Sequence, residues 1–334
     1  MKIPKEIYDL VYKFKNLGVW DYLYEDEIFA VNTESGKKMY CSVLGHNREC
    51  FALNMYPEKE GWNTYLKLAR EPRSKSEEEE QLFSQECFQL IFDNINQLSE
   101  DQRKQVKAYT KPRGISIDGE NCPYFMRLRK YRMPAPMNDL AELQIVKECL
   151  EVAIYIIEGF ESGELRTLPR RYDETERVDV FTKKGDSFSS RLAKIPTEYE
   201  EDGVMPRSRT YTLIKDSPKR GILYCDTMFM PHLLKDKSGI PVFPFMFVAV
   251  TDEGKVLIMK LLSHYEKDAL TLADELADIM IQQRFFPSEI IDRNFRTASF
   301  LVNFCKKNGI ALNPGKVEFI DDIYEELLKK MRGE

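Results

Sequence analysis

The chain opens on an amphipathic pattern. Ile7, Leu10, Val11, Phe14 and Leu17 recur at helical spacing, and Gly18 follows as a stop. The period then changes to two. Glu27 to Val31 and Lys38 to Leu44 flank the loop Asn32-Thr33-Glu34-Ser35-Gly36, and Cys50 to Tyr56 follows a turn at Gly45-His46-Asn47. Alternation bounded by such turns predicts a three-stranded antiparallel meander. Helical spacing returns from Gly61 to about Ala69. A further helix is expected from Leu82 to Ile95, with Ser99 as the N-cap of a shorter one. Arg70 to Glu80, with its run Glu77-Glu78-Glu79-Glu80, reads as a solvated loop entering a helix start, where acids suit the helix dipole. Tyr124 to Arg132 mixes aromatics and bases, as single-strand nucleic-acid-binding surfaces do; the favoured reading is an exposed strand whose arginine stems cover apolar neighbours. Asn138 or Asp139 then caps a long helix with Leu140, Leu143, Val146, Leu150, Ile154 and Ile157 on its buried face and Gly159 at its end. Arg177 to Ile195 predicts two strands around Lys183-Lys184-Gly185-Asp186.

From Ile222 the order is clearer. Ile222 to Phe229 is a first strand. Val242 to Val250, nearly all apolar, has the character of a central one. Asp252-Glu253-Gly254 turns into a third, Lys255 to Leu262. Glu266 to Gln283 is an amphipathic helix carrying Leu270, Ala273, Leu276, Ala277 and Met280. Ser288 to Asp292, Thr297 to Lys307, Ile310 to Leu312 and Phe319 to Met331 complete a strand, helix, strand, helix series. Between the halves, Pro196 to Arg209 is acidic and rich in Gly and Pro, as linkers are. The stretch Thr197 to Arg207 is therefore expected to be the most protease-sensitive part of the chain. The fold class is α+β followed by α/β. An N-terminal α+β domain over 1–195 holds the meander and its helices. A linker covers 196–218, and a C-terminal mixed sheet in the order βββαβαβα covers 219–334.

Composition changes this picture in three ways. At 334 residues and 43% hydrophobic, the chain can bury two cores. A formal net charge of −6 argues against coating nucleic acid by bulk charge, although local basic patches remain compatible with it. No apolar run approaches the roughly 20 residues a membrane span needs, and Met1-Lys2-Ile3-Pro4-Lys5-Glu6 leads into no signal-peptide core. The seven cysteines, Cys41, Cys50, Cys87, Cys122, Cys149, Cys225 and Cys305, are odd in number and scattered, which reads as reduced thiols in a cytoplasm. His46, His232 and His264 lie far apart and without a cysteine pair, so a zinc site is not expected.

No phosphate-binding loop, dinucleotide fingerprint or serine-hydrolase elbow occurs. Cys225 beside Asp226 has no identifiable histidine partner and reads as a buried strand cysteine. His264 sits at a strand-to-helix junction, where active-site residues often lie; capping by Ser263 explains that turn equally well. The acids carry more information. Asp226 lies in the first C-terminal strand, Asp292 ends the fourth, and Asp321, Asp322, Glu325 and Glu326 lie in the last helix.

With those acids, the order βββαβαβα resembles the ribonuclease H-like fold shared by retroviral-type integrases and many transposases. The stretch from Ile291-Asp292-Arg293-Asn294-Phe295 through Phe304-Cys305-Lys306-Lys307-Asn308-Gly309-Ile310 is similar to the integrase segment after the second acid. The resemblance implies carboxylates on the first strand, at the end of the fourth and near the last helix, holding two Mg²⁺ about 3.5–4 Å apart for phosphodiester chemistry. Carried over, it makes Asp226 and Asp292 candidate metal ligands and catalytic acids. The third position is open among the four acids of the last helix, with Glu325 as the candidate. Two departures stand out: Asn294 replaces the glycine usual two residues after the second acid, and Arg293 sits beside a candidate ligand. The whole chain also resembles an uncharacterised bacterial family with two domains of unknown function, through Trp20-Asp21-Tyr22-Leu23-Tyr24, Ser42-Val43-Leu44-Gly45 and Pro287 to Ile310. That resemblance implies a two-domain layout and no activity. The reading is a cytoplasmic protein whose C-terminal domain acts without catalysis, through binding or assembly with a protein partner and no membrane. The alternative is a Mg-dependent nuclease or strand transferase acting on nucleic acid.

Overall fold

Strand pairing in the first half of the chain extends well beyond a meander. The computed structural model describes residues 2–72, 75–185, 187–199, 214–230, 233–235, 239–263, 265–315 and 318–332. Two compact units divide it: Met1–Glu71, Gln81–Lys130 and Pro134–Tyr199 form the first, and Pro72–Glu80, Tyr131–Met133 and Glu200–Glu334 the second. His232, His264 and most of the acidic stretch expected to be protease-sensitive lie outside the described residues. No helix among the described residues is long and apolar enough to cross a membrane.

In the first unit, β1 (Phe29–Asn32), β2 (Lys38–Leu44) and β3 (Phe51–Pro57) form the expected antiparallel meander. β4 (Cys87–Asp93), β5 (Cys122–Leu128) and β6 (Ala135–Pro136) extend it on one side, and β7 (Arg177–Lys184) and β8 (Ser187–Lys194) on the other. The order is β6-β5-β4-β3-β2-β1-β7-β8, antiparallel except where β1 meets β7. One face packs on the helices Lys5–Asn16 and Leu140–Ser162 through Val11, Phe14, Val146 and Leu150. The other packs on the helix Glu58–Leu68 through Trp62, Tyr65 and Leu66. Gly45 closes the turn before β3 at φ +130°. A Cβ there would lie 2.6 Å from the Phe51 ring and 3.1 Å from Trp20, so only glycine fits.

Three expectations change. Most of the helix expected over Leu82 to Ile95 is β4. Its Phe88, Leu90 and Phe92 alternate into the core, and pairing with β3 on one side and β5 on the other overrides local helical preference. The strand expected to be exposed at Tyr124 to Arg132 is β5, flanked on both sides. Arg127 is buried there, ion-paired to Glu86 and stacked 4.1 Å over the Phe88 ring; burial pulls its pKa down to about 10. A base committed in this way does not read nucleic acid. Finally, the long helix runs through Gly159 to Ser162, and Gly163 at φ +80° caps it. Leu140, assigned to its buried face, is 59% exposed in the first turn. Asp139 is the N-cap, accepting from the Ala141 amide at 2.9 Å. Asp139→Ala is expected to lower the stability of the first unit by about 1 kcal/mol, measured by urea denaturation.

The second unit centres on a five-stranded sheet in the order β13-β12-β9-β14-β15. Its strands are β9 (Ile222–Phe229), β12 (Phe245–Thr251), β13 (Val256–Leu262), β14 (Glu289–Asp292) and β15 (Ala311–Pro314). β10 (Leu234–Lys235) and β11 (Pro241–Val242) pair separately. β13, β12 and β9 are antiparallel neighbours, while β9, β14 and β15 are parallel. On one face Phe247 meets Phe300 of the helix Phe295–Asn308 with rings 5.3 Å apart. On the other, Met246, Val248 and Val250 pack with Ile320 and Tyr324 of the helix Glu318–Arg332. Leu270 in the helix Tyr265–Gln283, assigned to the core from its spacing, is 45% exposed; Ala269, Leu272, Ala273, Leu276, Ala277 and Met280 make the buried face.

Candidate functional site

The central strand β9 pairs with β12 on one side and β14 on the other, and helices cover both faces of its sheet. Asp226 lies there fully buried, on the Val248 face beneath the last helix. Asp292 closes β14 opposite Cys225 and is 4% exposed. The next two residues connect these acids. Asn294 caps the helix Phe295–Asn308 by accepting from the Thr297 amide at 3.1 Å. Its Nδ2 donates to Asp226 Oδ1 and, at 2.9 Å, to the Thr227 carbonyl. The Thr227 amide donates to the same Asp226 oxygen at 2.8 Å, and the Thr227 and Thr297 hydroxyls bond at 2.8 Å. The Nη2 of Arg293 lies 2.6 Å from Asp226 Oδ2. Its Nη1 pairs with Asp321 on the last helix.

Burial raises the pKa of Asp226, and the Arg293 charge offsets part of that rise. Asp292 goes further: burial first, and repulsion from Asp226 second, push it up to about 6. Burial opposes the Arg293 charge, but Asp321 and Asp226 outweigh it and raise its pKa. Beneath the guanidinium, burial drives the Tyr324 phenol well up, and its hydroxyl donates to the Met246 carbonyl at 3.2 Å.

Asp226 and Asp292 are thus close enough to repel, and Arg293 links Asp226 to Asp321. Asp322, Glu325 and Glu326 project from exposed positions of the same helix. Among the described residues, no three His, Cys, Asp or Glu side chains gather in a way that could hold a metal ion. Cys225 is fully buried, and burial drives its thiol well up, away from the thiolate a nucleophile needs.

A second polar cluster escaped the sequence reading. Glu80, the last of the acidic run, is buried within the second unit. There it pairs with Arg296 Nη1 at 2.9 Å and accepts from the Tyr131 hydroxyl at 2.7 Å. The Arg296 guanidinium stacks 4.2 Å over Phe229 and 4.9 Å over Phe245. Nothing local in the sequence singled out Glu80 or Arg296. In the first unit, a cavity of about 690 Å³ is lined by Lys2, Lys5, Lys104 and Arg113. Lys5 already pairs with Asp9 and Lys104 with Glu100, so much of its positive rim is neutralised.

Each half of the chain matches a family model, and both are described as domains of unknown function: DUF7309 over residues 5–181 and DUF6930 over residues 210–328. The chain is therefore a two-domain protein of unknown function. It belongs to the DUF7309 family, whose model covers more than half of its length. No curated protein matches it.

Proposed function

We propose that the C-terminal unit is a ribonuclease H-like domain that works through binding or assembly in the cytoplasm, without cutting phosphodiester bonds. The strand order β13-β12-β9-β14-β15, with an acid on β9 and another ending β14, supports the fold. The Arg293 guanidinium between Asp226 and Asp321 is the observation that carries the loss of catalysis. A two-metal centre needs carboxylate oxygens free to bind hard cations. Here both oxygens of Asp226 are engaged, one by Asn294 and the Thr227 amide and the other by Arg293. Asp321 is held by the same arginine, and Glu325 stands on an exposed helix position. As arranged, these residues do not fit the Mg²⁺ pair of that fold. The seven free cysteines support a reducing compartment.

One observation favours the alternative of a Mg-dependent nuclease or strand transferase: two buried carboxylates that repel each other are common at catalytic sites. A cleavage assay on single- and double-stranded DNA, RNA and hybrid substrates, with Mg²⁺ and with Mn²⁺, decides between the readings. Wild type is expected to match Asp226→Asn, with no turnover. Metal-dependent cleavage that both Asp226→Asn and Asp292→Asn abolish would establish the alternative.

A further inference from the structure

In the first unit, and independently of the reading of the second, we infer that the cleft between the helices Lys5–Asn16 and Glu100–Thr110 binds a small organic anion with a planar apolar body, of the class of aromatic sulfonates, carboxylates and phosphates. Its volume of about 690 Å³ falls within the roughly 300–1,000 Å³ that small-molecule sites occupy. The packing of the two helices builds its walls. The Tyr8 and Tyr109 rings stack at 5.0 Å, and Tyr12 stacks on Tyr109 at 5.5 Å. The Tyr109 hydroxyl donates to Asp9 Oδ1 at 2.6 Å, and the Ile3 amide donates to Gln105 Oε1 at 2.9 Å. These bonds fasten the start of the first helix to the second. The apolar wall of Ile3, Tyr8, Ala108 and Tyr109 is thus held in place before any ligand arrives, which lowers the ordering cost of binding.

The rim decides the sign of the ligand's charge. Lys2, Lys5, Lys104 and Arg113 line the cleft against a single acid, Asp101. Lys5 and Lys104 hold only i,i+4 pairs at exposed positions, with Asp9 at 3.4 Å and Glu100 at 2.7 Å. Such pairs contribute little in water and give way to a competing anion. Lys2 and Arg113 are exposed and have no ion-pair partner among the described residues. Arg113 is also fixed in place: its Nη1 donates to the Tyr109 carbonyl at 2.8 Å, and its guanidinium lies 4.1 Å over the Tyr109 ring. That stack occupies one face of the guanidinium. The other is open to a flat ring, whose anionic substituent then meets the lysines. The chain as a whole carries a net charge of −6, so it repels an anion everywhere except at such a local cluster. Four cations around one concavity suit a single anionic group; a polyanion needs a row of contacts along its backbone.

The test uses the full chain and anilinonaphthalene sulfonate as the probe, with uncharged phenylnaphthylamine as its control. Calorimetric titration of wild type should show a site for the sulfonate that weakens several-fold when salt rises from ~50 mM to ~500 mM, and that takes the uncharged molecule less well. Arg113→Ala should weaken binding at least about tenfold, the usual consequence of losing a charged contact, and Lys2→Glu several-fold. Ala108→Trp, at an exposed helix position on the cleft wall, should fill the cleft and abolish binding. Ala108→Glu gives the same reading if the tryptophan variant does not fold. Lys184→Ala, which removes an exposed charge on the β7–β8 hairpin, should bind as wild type does. Thermal melts establish which variants are folded. A wild type that does not bind the sulfonate overturns the inference. So do folded Arg113 and Ala108 variants that bind like wild type, and so does an uncharged molecule that binds equally well. Deca-glutamate that displaces the sulfonate and binds more tightly would assign the cleft to an acidic peptide and overturn it too.

Discussion

Glu80→Ala is expected to destabilise the C-terminal unit by about 3–5 kcal/mol, the usual cost of breaking a buried ion pair from one side. Glu80 lies 216 positions from Arg296, yet both side chains are almost fully buried and their nitrogen and oxygen lie 2.9 Å apart. The alanine leaves the Arg296 charge in a pocket walled by Phe229 and Phe245, and removes the acceptor of the Tyr131 hydroxyl. Restoring water to that position costs packing, while excluding it costs electrostatic energy. Glu78→Ala, at an exposed position of the same run, should stay within about 0.5 kcal/mol of wild type. Both tryptophans, Trp20 and Trp62, belong to the first unit, so their fluorescence would miss the effect. Hydrogen exchange of the β9 and β12 amides in urea reads it directly. A loss below about 1 kcal/mol would mean that the pair is not buried in solution.

Asp292→Asn is expected to stabilise the protein at pH 7.5 and to flatten its pH dependence between about pH 7 and 4. The sign is opposite to that of most carboxylates. Asp292 titrates near 6 in the folded state, above the value of about 3.9 for an unfolded aspartate. Folding therefore favours its protonated form. Above pH 6 the folded state bears a buried charge with no ion-pair partner among the described residues, and that penalty is fully present. It fades as pH falls through 6 and vanishes below about 4. The full difference corresponds to about 3 kcal/mol. Partial access to water at the end of β14 reduces the expected gain to about 1–2 kcal/mol. Denaturation of wild type and variant at pH 4.5, 6 and 7.5 measures it. The difference should shrink toward zero at the lowest pH; a variant less stable than wild type at pH 7.5 would show that a positive charge compensates Asp292 in solution.

The two acids on β9 and β14 were legible because strand period and element order are local properties. Ile222 to Phe229 is a short, mostly apolar run of strand length, and Asp292 precedes a helix that begins at an Asn cap. Hence the order βββαβαβα and the positions of Asp226 and Asp292 follow from the amino-acid pattern alone. Their chemistry does not. Arg293 looked like a competitor beside Asp292; in the fold it turns to Asp226 across the neighbouring strand and to Asp321 on the last helix. Choosing Glu325 as third acid was equally beyond reach, because helical position does not say which of four acids faces the sheet.

The same division holds for the N-terminal unit. The meander, the capped long helix and the β7–β8 hairpin could be read from alternation, caps and turn residues, each of which acts within a few positions. β4 was misread because Leu82 to Ile95 satisfies helical spacing as well, and only pairing on both sides with β3 and β5 settles its state. The mixed α/β class, the antiparallel core of the first sheet and the strand order's raw material were therefore written in the sequence. Burial of Glu80 and Arg127, the parallel contact of β1 with β7, and the guanidinium between Asp226 and Asp321 were decided by tertiary structure. Each depends on which distant group arrives to satisfy a charge or a backbone amide, and the free energy of that arrival has no local signature.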